Sequence, residues 1–204
     1  MPKTRTLPLL AAAVLLSLAG LVASPPGLAA APQNPIAGVR FEPQVQLAGQ
    51  SLQLNGTGLR AVAWFKGYAA GLYLTQRSEQ VAQIVASTGA KRLQLRLLLD
   101  VPVEEFVKAF HKGVERNTPV EQQASLQARM ARFDALLRPL GAVKKGDTFN
   151  LDLLPGLGMQ FWHNGRLLGP AIEGDDFYAA LLLIFIGERP VDDALKAGLL
   201  GRAG

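Results

Sequence analysis

Three residue types near the start of the chain could do chemistry together. Arg60, Lys66 and Tyr68 stand at even positions in and just before the apolar run 61–74, AVAWFKGYAAGLYL. On a regular strand, residues of one parity share a face. A guanidinium grips a carboxylate through two parallel hydrogen bonds, and a phenol adds one more donor. At one end of an apolar cleft, Arg60 and Tyr68 would suit an amphiphile with an acid head, and Lys66 would add a second cation. A plainer reading stands beside this one. Arg60 is then a surface residue, Tyr68 a core tyrosine with a satisfied hydroxyl, and Lys66 a lysine that snorkels from the sheet. Distance constrains the first reading, because eight residues of straight strand span about 26 Å, too far for one shared carboxylate. The chain must bend or form a hairpin between the two residues. The run itself is longer than the usual strand of about five or six residues, and it reads as one central strand with a bend.

Other reactive groups are few. The chain has no cysteine, which excludes disulfides, zinc–thiolate sites and thiol nucleophiles. Its two histidines, His111 and His163, are too few for a histidine-rich metal site. His111 falls on an expected helix with no triad partner in view. Asp175 and Asp176 read as helix capping. Pro155-Gly-Leu-Gly158 joins two strands and is no phosphate loop, since neither a lysine nor a helix start follows. Trp64, Tyr73, Phe161 and Trp162 read as core. No metal and no cofactor is expected.

The elements that must position these residues follow from patterning. Residues 41–54 form a β-hairpin around Ala48-Gly49, with Val45, Leu47, Leu52 and Leu54 alternating with polar residues. After the bent strand, residues 78–87 form a short helix with Ser78 as N-cap. Residues 91–100, KRLQLRLLLD, form a strand with leucines 93, 95 and 97 on one side. Residues 102–116 form an amphipathic helix. A second helix opens at Thr118-Pro-Val-Glu121 with a capping box and Pro at its first position. Strands follow at 148–154, 158–163 and 166–172, with Asn164-Gly165 as a tight hairpin turn. Helix 177–186 is apolar all round and therefore buried. Residues 190–200 close the fold as a short helix. Long helices set between antiparallel strands predict an α+β fold: one large antiparallel sheet covered by helices on one face.

The 204 residues suffice for one domain with a sizeable core. Residues 1–31 read as a secretory signal peptide: Lys3 and Arg5, an apolar stretch, then Ala29-Ala30-Ala31. Cleavage is expected near Ala30 or Ala31, with an uncleaved anchor as the alternative. Residues 32–38 form a Pro-rich linker, and residues 39–204 form the domain. The mature protein is then periplasmic or secreted, with no integral membrane span. Losing Lys3 and Arg5 lowers the net charge from +5 to +3. No basic cluster stands out, so nucleic-acid binding has no support.

The order and spacing of several short motifs resemble the chalcone isomerase-like family. They are Phe65-Lys-Gly-Tyr68-Ala-Ala-Gly71-Leu-Tyr73-Leu74, Gly146-Asp147, Pro155-Gly-Leu-Gly158, and Gly169-Pro-Ala-Ile-Glu-Gly174-Asp-Asp-Phe177 through Gly187, then Pro190-Val-Asp. The resemblance spans residues 38–201. It implies an open-faced β-sandwich with a ligand cleft between sheet and helices. It also implies that Arg60 and Tyr68 meet a ligand. Catalytic members carry threonine at the position of Tyr68, and fatty-acid-binding members carry tyrosine. The plant isomerases' helix tyrosine has no counterpart in VEEFVKAFHKGVERN, although Lys108 could match their lysine, and their final hydroxyl residue falls near Ile184. The expected function is an exported, non-catalytic binder of a fatty acid or similar amphiphilic acid. One alternative is an isomerase (intramolecular lyase) acting on an aromatic, chalcone-like or other small organic substrate, with Arg60 stabilising an oxyanion and Lys66 or Lys108 assisting. The other is an envelope interaction module with a filled cleft.

Overall fold

Alternating leucines set the sheet. The computed structural model describes residues 1, 35–62 and 65–202, with the side chains of 62, 65 and 66 left outside the description. Seven strands form one antiparallel sheet in the order of the chain. They are β1 (Gln44–Leu47), β2 (Gln50–Val62), β3 (Phe65–Leu74), β4 (Lys91–Leu97), β7 (Thr148–Leu154), β8 (Gly158–His163) and β9 (Arg166–Leu167). Two short strands, β5 (Val101–Pro102) and β6 (Ala142–Val143), pair separately and frame the helical insertion. That insertion is α2 (Val103–Asn117) and α3 (Val120–Leu137). The remaining helices are α1 (Val81–Ala86), α4 (Asp175–Ile186) and α5 (Asp193–Leu199). The α+β class with a large antiparallel sheet under helices is the one the patterning predicts.

The main core lies between sheet and helices. Leu93, Leu95 and Leu97 of β4 point into it, as does α4 along nearly its whole length. Arg92, Gln94 and Arg96 alternate with them on the other face, where Arg92 holds the fully buried Asp152 of β7 through two hydrogen bonds of 2.6 Å. A smaller cluster covers that face near β1–β3, built on Phe41, Leu52 and the fully buried Tyr73. Phe41 packs against Gly71, where any Cβ would stand 2.6 Å from its ring.

Several local expectations change. Residues 61–74 are not one bent strand but the end of β2 and all of β3, antiparallel partners joined through residues 63–64. Between Val62 and Phe65 the sequence has no Gly, Asn, Asp or Pro, so periodicity alone runs straight through the segment. Ser78 does not cap α1, whose N-cap is Gln80; the Ser78 backbone N–H and carbonyl are instead taken up by Asn55. The capping box at Thr118 does not form: Pro119 is the cap residue, and Thr118 Oγ1 is buried without a partner. The last strand is only β9, followed by an isolated bridge between Met159 and Ile172. Asn164-Gly165 does form the tight turn, with φ of 50° and 79°. Among the described residues no helix is long and apolar enough to cross a membrane.

Candidate functional site

The hairpin β2–β3 brings the two candidate residues together. Arg60 and Tyr68 are direct cross-strand partners, which places their Cβ atoms about 5 Å apart. The distance problem of a single strand therefore disappears. The register shifts immediately beyond them: Arg60 pairs with Tyr68 and Ala61 with Lys66, leaving Gly67 as a bulge. The bulge breaks the period-two count on which a shared face for Lys66 rested. Lys66 belongs to β3 opposite Ala61, and its side chain lies outside the described residues. The Gly67 carbonyl accepts from the Leu98 N–H at 3.0 Å, tying the bulge to the end of β4.

Both residues line a cavity of about 270 Å³ between the sheet and helices α2, α3 and α4. Phe149 and Phe161 form part of its sheet wall; Phe106 and Phe110 from α2, Phe133 from α3 and Phe185 from α4 form the helical wall. The aromatic rings meet mainly edge to face, as for Phe110 with Phe133 at 4.8 Å between centroids. The rings of Phe149 and Phe161 stack at 5.4 Å. Among the described residues, the polar side chains lining the cavity are those of Arg60, Tyr68 and Glu105.

Arg60 is held rather than loose. Its NH1 donates to the Ala61 carbonyl at 2.8 Å and meets Asp192 Oδ2 at 3.3 Å. Among the described residues its Nε and NH2 have no hydrogen-bond partner. Tyr68 packs edge-on to Phe185 at 6.4 Å between ring centroids. Burial pushes its phenol well above the ordinary tyrosine value; the charge of Arg60 pulls it back and that of Asp192 pushes it further. Tyr68 is therefore a neutral hydrogen-bond donor at any ordinary pH. A guanidinium and a phenolic O–H on the wall of an aromatic cavity together offer donors to an acceptor head group whose tail is apolar.

Asp192 is the residue that sequence reasoning missed. It is the N-cap of α5, with Oδ1 accepting from Leu195 N at 2.9 Å. Pro190-Val-Asp signals a cap, but nothing in the sequence ties it to an arginine 132 positions away. The tie comes from Gly56, Gly58 and Gly198. A Cβ at Gly58 would stand 2.6 Å from the Leu195 carbonyl, and one at Gly198 would stand 2.3 Å from the Thr57 carbonyl. Only bare backbone lets α5 lie this close on β2. Asn55, a buried extra residue at the other register shift of β2, fixes the far end of α5 by donating to the Leu199 carbonyl at 2.8 Å.

The remaining candidates lie elsewhere. Lys108 is exposed and paired to Glu105 at 2.8 Å, and Ile184 is part of the apolar wall. His111 meets Asp134 at 2.8 Å across α2 and α3. Asp176 receives both NH groups of Arg129, at 2.5 and 2.7 Å, so it links α3 to α4 rather than forming a carboxylate dyad with Asp175.

Comparison with known proteins fits this geometry. The model of the family described as chalcone isomerase-like matches residues 33–201. No curated protein matches the sequence. Among solved structures, a fatty-acid binding protein of Arabidopsis thaliana superposes with a TM-score of 0.65 at 16% identity, covering 80% of this chain and 92% of that one. At that identity the likeness establishes the fold.

Proposed function

Because the chain belongs to the chalcone isomerase-like family, we propose that it is an exported, non-catalytic binder of a fatty acid or similar amphiphilic acid. One observation carries this reading: Arg60 and Tyr68, paired across β2 and β3, line an otherwise largely aromatic and aliphatic cavity of about 270 Å³. The acid head would meet Arg60 and the Tyr68 hydroxyl, and the tail would lie among the phenylalanines. The fatty-acid binding activity of the Arabidopsis neighbour agrees with it. The isomerase alternative has less to draw on, because Lys108 is exposed, points to Glu105 and does not line the cavity. Export rests on residues 1–31, and amino-terminal sequencing of the exported protein should find a start near residue 31 or 32 if it is right.

Lipid extraction and native mass spectrometry of the purified protein test the binding reading first. An Arg60→Ala variant tests the head group. Charge-assisted hydrogen bonds contribute about 1.5–3 kcal/mol, so decanoic acid should lose roughly 10- to 100-fold in affinity and decanol far less. Equal losses for the two ligands would argue against a carboxylate clamp, and no binding of either would remove the proposal.

A further inference from the structure

A second cavity, of about 160 Å³, lies at the other end of β4 and α4. The first cavity takes Leu95 and Leu97 of β4 and the carboxyl half of α4. The second takes Lys91 of β4 and Asp175, Tyr178 and Ala179 of α4, with Ser87 and Thr88 from the turn after α1. Lys91 has the parity of Leu93, Leu95 and Leu97, so it points toward the helices. It is only 2% exposed. Its Nζ donates to the Ser87 carbonyl and, at 3.4 Å, to the Gly89 carbonyl.

A lysine on the last carbonyls of a short helix is an ordinary structural device. Two features take Lys91 further. A neutral amine has two N–H groups and one lone pair, so two carbonyl partners satisfy it and leave the lone pair unengaged; an ammonium would keep a third N–H. Burial draws the amine below the ordinary lysine value, and the charge of Asp175 offsets part of that. The residue also lines a cavity whose exposed members, Ser87, Thr88 and Asp175, put it within reach of solvent. Desolvated lysines are the side chains that form imines with carbonyl compounds.

We propose that this second cavity is a covalent binding site for a short-chain aldehyde, held as an imine on Lys91 Nζ. The site is independent of acid binding in the first cavity. The Nζ lone pair adds to the carbonyl carbon, the carbonyl electron pair moves to oxygen, and a proton passes from nitrogen to that oxygen to give a carbinolamine. Loss of the hydroxyl with the remaining N–H proton, as water, leaves the C=N bond. Asp175 on the cavity wall is the acid–base group that can carry these protons. A protonated imine keeps one N–H for the Ser87 carbonyl, and water reverses the bond, so the aldehyde is released unchanged. Size sets the class: a cavity of about 150 Å³ holds a molecule the size of benzene, so a chain of about four to six carbons fits. Val85, Leu153 and Leu182 offer its tail an apolar wall.

Reductive trapping on the full chain tests this. Butanal with sodium cyanoborohydride near pH 7, followed by peptide mass mapping, should place one butyl group on Lys91 at least about tenfold faster than on the exposed Lys144 and Lys145, because a buried amine is neutral more of the time. Pyrenecarboxaldehyde, too large for the cavity, should reverse the order. Lys91→Arg keeps donors for the two carbonyls but cannot form the imine, and it should lose the fast site. Butanal labelling of Lys91 no faster than that of Lys144 would overturn the inference and leave Lys91 a capping residue. An equal preference of pyrenecarboxaldehyde for Lys91, or a fast site that survives Lys91→Arg, would overturn it as well.

Discussion

At the scale of single residues, Tyr68 carries the most information. Its ring packs edge-on to Phe185, and its backbone pairs with Arg60 across β3 and β2. Desolvation moves its phenol upward from 10.0. The sign follows directly. Between the unfolded value and the raised folded value, the folded state binds more protons than the unfolded chain, so stability falls as pH rises through that alkaline window. Below it, the hydroxyl donates equally well at every pH. Tyr68→Phe should therefore weaken decanoic acid binding by a pH-independent factor of about 2 to 10, the worth of one hydrogen bond. It should also reduce the loss of stability in alkali. Burial raises Tyr73 and Tyr178 as well, so denaturant titrations near pH 7 and above pH 10 should show a shallower alkaline limb in the variant rather than a flat one; a limb identical to the wild type would show that Tyr68 contributes nothing to it. Tyr68 itself was legible in the sequence as a hydroxyl on an apolar strand. Asp192 was not, because a capping aspartate looks the same whether or not an arginine waits beside it.

At the scale of elements, the site depends on how tightly α5 lies on β2. Gly56, Gly58 and Gly198 make a backbone-to-backbone contact, and Asp192 at the start of α5 reaches Arg60 only because of it. A Gly198→Ala methyl would stand 2.3 Å from the Thr57 carbonyl and 2.9 Å from the Gly58 Cα, both backbone atoms that cannot turn aside. Overpacking of this kind costs about 1–3 kcal/mol, which lowers Tm by roughly 2–12 °C in a domain of this size. The lifted helix should also loosen the Arg60–Asp192 pair and change the affinity for decanoic acid, which calorimetry on the same variant would detect. A variant with unchanged Tm would mean that α5 can shift without strain. Gly56 and Gly58 carry no local signal of their role in the sequence. Their real task, admitting a helix that follows about 140 residues later, is a long-range contact that no local pattern encodes. The hairpin between β2 and β3 was hidden for a related reason. The sequence between its strands has none of the residues that announce turns, whereas Ala48-Gly49 and Asn164-Gly165 have them and do turn the chain.

At the scale of the whole molecule, a cavity of about 270 Å³ lined by phenylalanines is a cost to the unliganded fold. Its walls come from one face of the sheet and from three helices, so the space exists only when β3, β4, β7, β8, α2, α3 and α4 are assembled. A ligand that fills it binds the folded chain and not the unfolded one. Stabilisation by mass action is then about 2.7 kcal/mol at a hundredfold excess over Kd, equivalent to a rise in Tm of roughly 5–11 °C for a domain of this size. Ala109 offers a control, since it lines the cavity from an exposed position on α2 and its enlargement need not disturb the buried core. Ala109→Trp should leave the unliganded Tm within a few degrees and abolish most of the decanoic acid shift, as read by calorimetry or by fluorescence-monitored melting. If the shift survives in the tryptophan variant, the acid binds elsewhere on the surface. The phenylalanine cavity is then simply a loosely filled part of the core, and Arg60 and Tyr68 are structural residues at its edge.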